Sequence, residues 1–149
     1  MPTRFAHTNI VSKDWRALSA FYQNVFGCVP VPPQRSLSGD WLDQGTGLTN
    51  AVLEGEHLRL PGHGDTGPTL EIFSYKEMLD RPEPAANRIG LGHIAFAVDD
   101  VRATFQSLLE HGGTAVGEVV EREVPGVGLL TMVYAADPEG NIIELQNWS

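Results

Sequence analysis

The sequence predicts an α+β fold built from two tandem βαβββ units, and three observations carry that prediction. First, the stretch AHTNIVSKDWRALSAFYQNVFG, from Ala6, recurs as GHIAFAVDDVRATFQSLLEHGG, from Gly92. With His7 aligned on His93, Asp14 meets Asp100, Arg16 meets Arg102, Ala17 meets Ala103 and Gly27 meets Gly113 without a gap. Second, each copy has the signals of a strand followed by a capped amphipathic helix. Third, each helix is followed by strand-like runs punctuated by turn residues.

The elements follow in order. Phe5 to Val11 reads as the first strand. Asp14 is placed to cap a helix whose stripe is Trp15, Leu18, Tyr22, Val25 and Phe26, ending at Gly27. Pro30, Pro32 and Pro33 allow at most an edge strand in the next segment. The glycines of DWLDQGTG, Asp40 to Gly47, suggest a mobile rim. Ala51 to Glu54, Glu56 to Leu60 and Thr69 to Tyr75 read as strands, with PGHGDTGP as the turn before the last. Lys76 to Gly90 is polar, holds two prolines and reads as a linker. The second copy repeats the plan. Leu91 to Val98 is a strand, and Asp99 or Asp100 caps a helix carrying Val101, Phe105, Leu108 and Leu109 and ending at Gly112-Gly113. Thr114 to Val120, Leu129 to Ala135 and Asn141 to Asn147 are strands, with DPEG turning between the last two. The expected organisation is one domain over residues 1–149, with module 1 at about 4–75 and module 2 at about 90–148.

Composition bounds the function. The chain has 149 residues and 42% hydrophobic content, enough for a real core. Its formal charge of −9 argues against nonspecific nucleic-acid binding. No apolar run is long enough to span a membrane, and no signal-peptide-like stretch follows the N-terminus. A single cysteine, Cys28, excludes an internal disulfide. The expectation is a cytoplasmic protein.

Each unit opens with a strand histidine, His7 or His93, and closes with a glutamate in an apolar strand, Glu71 in PTLEIFSY or Glu144 in NIIELQNW. A buried imidazole or carboxylate costs free energy unless it is paired. A lone strand histidine is more often a hydrogen-bonded core residue than a ligand, and a lone glutamate more often marks a surface edge. Recurrence at matching places in both units changes that balance. If the units pack with approximate twofold symmetry, the four side chains converge as a nitrogen and oxygen set for one divalent ion.

FAHTNIVSKDWRALSAFYQNVFG, TLEIFSY, GLGHIAFAVDD and DPEGNIIELQNW together resemble the vicinal oxygen chelate superfamily, the glyoxalase/bleomycin-resistance/dioxygenase group. The resemblance runs from Phe5 to Trp148 and is closest to glyoxalase I-like members. It implies paired βαβββ modules forming an eight-stranded cup around a metal, with ligand positions on His7, Glu71, His93 and Glu144. It also implies a homodimer. A carboxylate at Glu71 points to the proton-transfer branch, of lactoylglutathione lyase type. That branch is a metal-dependent lyase or isomerase acting on a small α-oxygenated carbonyl or thioester. By the same resemblance Glu144 is the first choice for catalytic base, with Glu71 able to serve the opposite face. The ion is then Ni, Zn, Co or Mn, with Fe less favoured. The alternatives are a bleomycin-resistance-type binding protein and an extradiol-type dioxygenase.

The substrate-binding candidates are His57 and Arg59, which share strand parity in EHLRL, and Trp41. Two solvated side chains on an exposed strand face are the competing reading of the first pair. Arg35 and Arg88 are further available cations, His63 sits in a glycine-rich turn, and His111 ends a helix where a cation is favoured. Trp15 and Trp148 divide between pocket lining and core packing.

Overall fold

The computed structural model describes residues 2–149, which divide into two compact units at Arg81/Pro82, within the expected linker. The first unit runs β1 (His7–Val11), α1 (Trp15–Phe26), β2 (Val29–Ser38), α2 (Asp40–Thr46), β3 (Val52–Arg59) and β4 (Thr69–Tyr75). Its sheet has the order β1-β4-β3-β2, with β1 parallel to β4 and the other pairs antiparallel. The second unit runs β5 (Ile94–Ala97), α3 (Val101–Glu110), β6 (Thr114–Ala115), β7 (Val120–Val124), β8 (Gly128–Ala136) and β9 (Ile142–Trp148). Its order is β5-β9-β8, with β6 and β7 both paired to β8. The β1-β4-β3 and β5-β9-β8 parts of the two sheets therefore share one topology.

The caps form as read. Asp14 Oδ1 accepts from Ala17 N at 3.1 Å, and Asp100 Oδ1 accepts from Ala103 N at 2.9 Å. Each satisfies an N–H that the first helical turn leaves free. Gly27 closes α1 with φ 71°, a left-handed conformation that glycine adopts without steric cost. Helix α1 packs on β3 and β4, and Trp15, Leu18, Phe21 and Tyr22 are buried. In the second unit α3 packs on β8 and β9, where Val133, Ala135, Ile143 and Leu145 are wholly buried.

Three elements differ from expectation, and one, the proline-rich segment, does not. Asp40 to Thr46 is a helix rather than a mobile rim, because Leu42 is buried in a cluster with Ala51, Leu53 and Phe73. The runs on either side of Gly55 are one strand. Gly55 is not a break but a place of close approach: a Cβ there would meet the Ile72 carbonyl oxygen at 2.0 Å. The proline-rich segment is an edge strand, as the prolines permit, with a register shift between Val31 and Arg35. Thr114 to Val120 is split into β6 and the start of β7. Val116 and Gly117 both donate to the Tyr134 carbonyl, at 3.1 and 2.9 Å, and this interrupts the ladder. Among the described residues no helix is long and apolar enough to cross a membrane.

Candidate metal centre

The first unit's sheet has two unlike faces. Ser74 and Glu56 meet α1, through Trp15 N to Ser74 Oγ at 3.2 Å and Ser19 Oγ to Glu56. Side chains alternate along a strand, and residues paired across strands share a face. The opposite face thus carries His7 and Asn9 of β1, Thr69, Glu71, Phe73 and Tyr75 of β4, and Leu53, His57 and Arg59 of β3. Phe73, Leu53 and Tyr75 join Leu42 in an apolar end. The rest of that face is polar and centres on Glu71.

Glu71 is buried, and each of its oxygens is engaged. Asn9 Nδ2 donates to Oε1 at 3.1 Å, and His7 Nε2 lies 3.1 Å from the same oxygen. His57 Nε2 lies 2.6 Å from Oε2. His57 Nδ1 meets Thr69 Oγ1 at 3.3 Å, and its ring stands edge-on to Phe73. Burial pushes the His57 imidazole below its ordinary range, against the pull of Glu71 and with help from Arg35 and His7.

In the second unit the corresponding pair is His93 Nε2 and Glu144 Oε2, 3.3 Å apart. The His93 ring packs on Tyr134 with centroids 4.7 Å apart. The histidines are less enclosed than a buried strand would make them. The His7 side chain is 42% exposed and that of His93 29%, against 11% for Glu71 and 15% for Glu144. His7 begins an edge strand, and His93 lies just before another. Open edges leave both rings a path to solvent.

Two donors bound to one ion at right angles, each at about 2.1 Å, stand roughly 3 Å apart. The His7–Glu71 and His93–Glu144 separations, 3.1 and 3.3 Å, are compatible with that spacing as well as with a direct ion pair, and imidazole with carboxylate suits Ni, Zn, Co or Mn. The pairs therefore fit a divalent ion, each offering two donors. Among the described residues no group of three or more histidine, cysteine or acidic side chains is arranged as a complete metal cage. His57 Nε2 meets the other carboxylate oxygen, Oε2, at 2.6 Å, the length of a charge-assisted hydrogen bond.

The other candidates are dispersed. Arg59 lies on the Glu71 face, where Nη1 approaches Asp65 Oδ1 at 3.5 Å while Nε is buried with no hydrogen-bond partner among the described residues. Trp41 is 62% exposed on α2 and gives its indole N–H to the Ser38 carbonyl, with no hydrogen bond or ring contact to the cluster. His111 closes α3, with Nδ1 2.8 Å from the Ser107 carbonyl, so its place is explained by the helix end. Sequence reasoning passed over Asn9, Thr69 and Tyr134. Asn9 was within reach, being two residues from His7 on one strand face, whereas Tyr134 needed the register of β8 on β9.

A model of the Glyoxalase/Bleomycin resistance protein/Dioxygenase superfamily matches residues 4–145. Solved structures similar to this chain include a glyoxalase family protein from Bacillus cereus, at 21% identity and a TM-score of 0.77, covering 98% of this chain and 93% of that one. They also include the fosfomycin resistance protein FosX from Listeria monocytogenes, at 22% identity and a TM-score of 0.61, covering 100% and 96%. A second FosX structure, complexed with Mn(II) and sulfate, matches at 18% identity and a TM-score of 0.59, covering 100% and 95%. No curated protein sequence matches the chain.

Proposed function

From the premise that this chain belongs to the Glyoxalase/Bleomycin resistance protein/Dioxygenase superfamily, we propose a divalent-metal-dependent enzyme that moves a proton on a small α-oxygenated carbonyl or thioester, by isomerisation or epimerisation. The carrying observation is the repeated imidazole–carboxylate pair, His7 with Glu71 and His93 with Glu144, each spaced as two ligands of one ion. A bound divalent ion supplies Lewis-acid polarisation of the substrate oxygens, which acidifies the neighbouring C–H.

The chain's own residues divide the remaining work. Among the described residues Glu144 has one polar side-chain contact, to His93, and so has acceptor capacity left for a substrate proton. It is the base in this reading. Glu71, contacted by Asn9, His7 and His57, is the more fixed carboxylate and is the second candidate for moving the proton. Arg59 shares the sheet face of Glu71, a cation placed to meet a substrate with an oxygen-rich end. His57 lines the same face, and the exposed Trp41 ring is free to stack on a substrate. The protein acts in this reading as a cytoplasmic homodimer.

A second reading is a resistance-type protein. The likeness to FosX, one structure of which holds Mn(II) and sulfate, and the Arg59 cation on the Glu71 face both favour an anionic small molecule as its ligand.

Elemental analysis of untagged protein, beside a His93→Ala variant, tests the metal. The expected result is about one Ni, Zn, Co or Mn per chain, reduced in the variant. Iron would favour an extradiol-type dioxygenase. No metal, even after reconstitution, overturns the enzymatic proposal. Exchange of a substrate α-hydrogen for deuterium then separates proton transfer, which requires it, from sequestration, which does not.

A further inference from the structure

We propose that His57 is a positioning residue that clamps Glu71 by donating its Nε2–H to Oε2, fixing which carboxylate oxygen faces His7. The chemistry of the contact sets the direction of the bond. An ionised carboxylate only accepts, so the nitrogen 2.6 Å from Oε2 carries the proton. In a neutral ring Nδ1 is then the acceptor, and the Thr69 hydroxyl at 3.3 Å is the donor available to it. His57 is held on its other side by the Phe73 ring, edge-on at 5.9 Å. The imidazole is therefore fixed in both tautomer and orientation.

The consequence falls on Oε1. With Oε2 taken by His57, and Asn9 Nδ2 on one lone pair of Oε1, the remaining lone pair of Oε1 is the one beside His7 Nε2. The carboxylate cannot rotate to offer its other oxygen without breaking the His57 bond. A ligating carboxylate is commonly oriented by such an outer hydrogen bond, and losing one typically weakens metal binding by about 10–100-fold.

The second unit supplies an internal contrast. Tyr134 occupies the register position of His57, opposite Glu144. Its ring packs on His93 and makes no hydrogen bond to the carboxylate. Ala95 stands opposite Glu144 where Asn9 stands opposite Glu71. The clamp is a property of the first unit alone, so symmetry of the fold does not explain it.

The metal consequence rests on the proposed function, whereas the hydrogen bond does not. Two measurements separate them. Nitrogen-15 NMR of histidine-labelled, metal-free protein reads the tautomer, with assignment by the His57→Gln spectrum. Protonation at Nε2 is expected, and a ring protonated at Nδ1 alone overturns the clamp. Calorimetric titration with Zn²⁺ alone then compares wild type, His57→Ala and His57→Gln. About 10–100-fold weaker binding is expected in the alanine variant. Partial recovery is expected in the glutamine variant, whose amide N–H can still donate. Unchanged affinity in His57→Ala overturns the positioning role while leaving the metal reading intact. A wild type that binds no ion sinks the functional reading, and the clamp is then judged by the tautomer.

Discussion

His57 and Tyr134 hold equivalent places in the two sheets, each directly across from the glutamate of its unit's last strand, yet His57 bonds the glutamate and Tyr134 packs on the histidine. Tyr134 therefore steadies His93 through a tilted ring contact and not by its hydroxyl. Tyr134→Phe is expected to keep stability within about 0.5 kcal/mol of wild type. Tyr134→Ala removes a half-buried ring and its contact with His93, and is expected to cost about 1–3 kcal/mol. Urea melts of both variants check this, and a phenylalanine variant as damaged as the alanine one would show that the hydroxyl matters.

Asp137 begins the DPEG turn and is 1% exposed. Oδ1 accepts from Glu139 N at 2.8 Å and Asn141 N at 3.0 Å, while Oδ2 accepts from Asn141 Nδ2 at 2.7 Å. These bonds fix the entry to β9 and hence the placement of Glu144. Asp137→Ala removes the acceptor of these three hydrogen bonds and is expected to lose about 3 kcal/mol. Asp137→Asn retains one acceptor oxygen and is expected to lose less. Equilibrium unfolding of the two variants tests the ordering.

Much of this was legible in the chain because it is local. The caps at Asp14 and Asp100 and the glycine after α1 follow from spacing within each helix, whereas His7, Glu71, His93 and Glu144 were singled out by recurrence at matching places in the two copies. What escaped depended on contacts distant in sequence. DWLDQGTG looked loose until Leu42 was found packed on Leu53 and Phe73. Gly55 looked like a strand break because its reason, the Ile72 carbonyl, lies on the neighbouring strand. His57 was readable as facing the same way as Arg59, but its partner was not. That required the register that sets His57 opposite Glu71.

Cys28 is 3% exposed, and burial pushes its thiol from 9.0 up to about 11. The reactive form is the thiolate, so native protein at pH 8 is expected to resist an aromatic disulfide reagent that labels it at once in urea. The raised value also sets an alkaline limit. An unfolded thiol ionises above pH 9 while the folded one stays protonated, so this contribution is full below pH 9. It is lost progressively as pH rises through about 11, amounting to ~3 kcal/mol by then. Cys28→Ala should lack this part of the alkaline decline. Equal decline in wild type and variant, measured by urea melts from pH 8 to 11, would assign it to other groups.

Gly55 joins the architecture of the first unit to its chemistry. A Cβ there would lie 2.0 Å from the Ile72 carbonyl oxygen and 2.7 Å from Phe73 Cδ1. The first contact is with backbone, which cannot swing aside, so Gly55→Ala must displace β3 from β4. Overpacking of a core costs about 1–3 kcal/mol when side chains can yield. Here they cannot, and the expected loss is ~3 kcal/mol or more. Gly117→Ala is the matched control, because nothing lies within 4 Å of its added Cβ. It should change stability by no more than about 0.5 kcal/mol. The displacement also reaches His57, two residues along the same strand and in ring contact with Phe73. A Gly55→Ala protein that still folds is therefore expected to bind Zn²⁺ more weakly than the Gly117→Ala protein. Equal affinity would mean that the His57–Glu71 bond survives a shift of the strand that carries it.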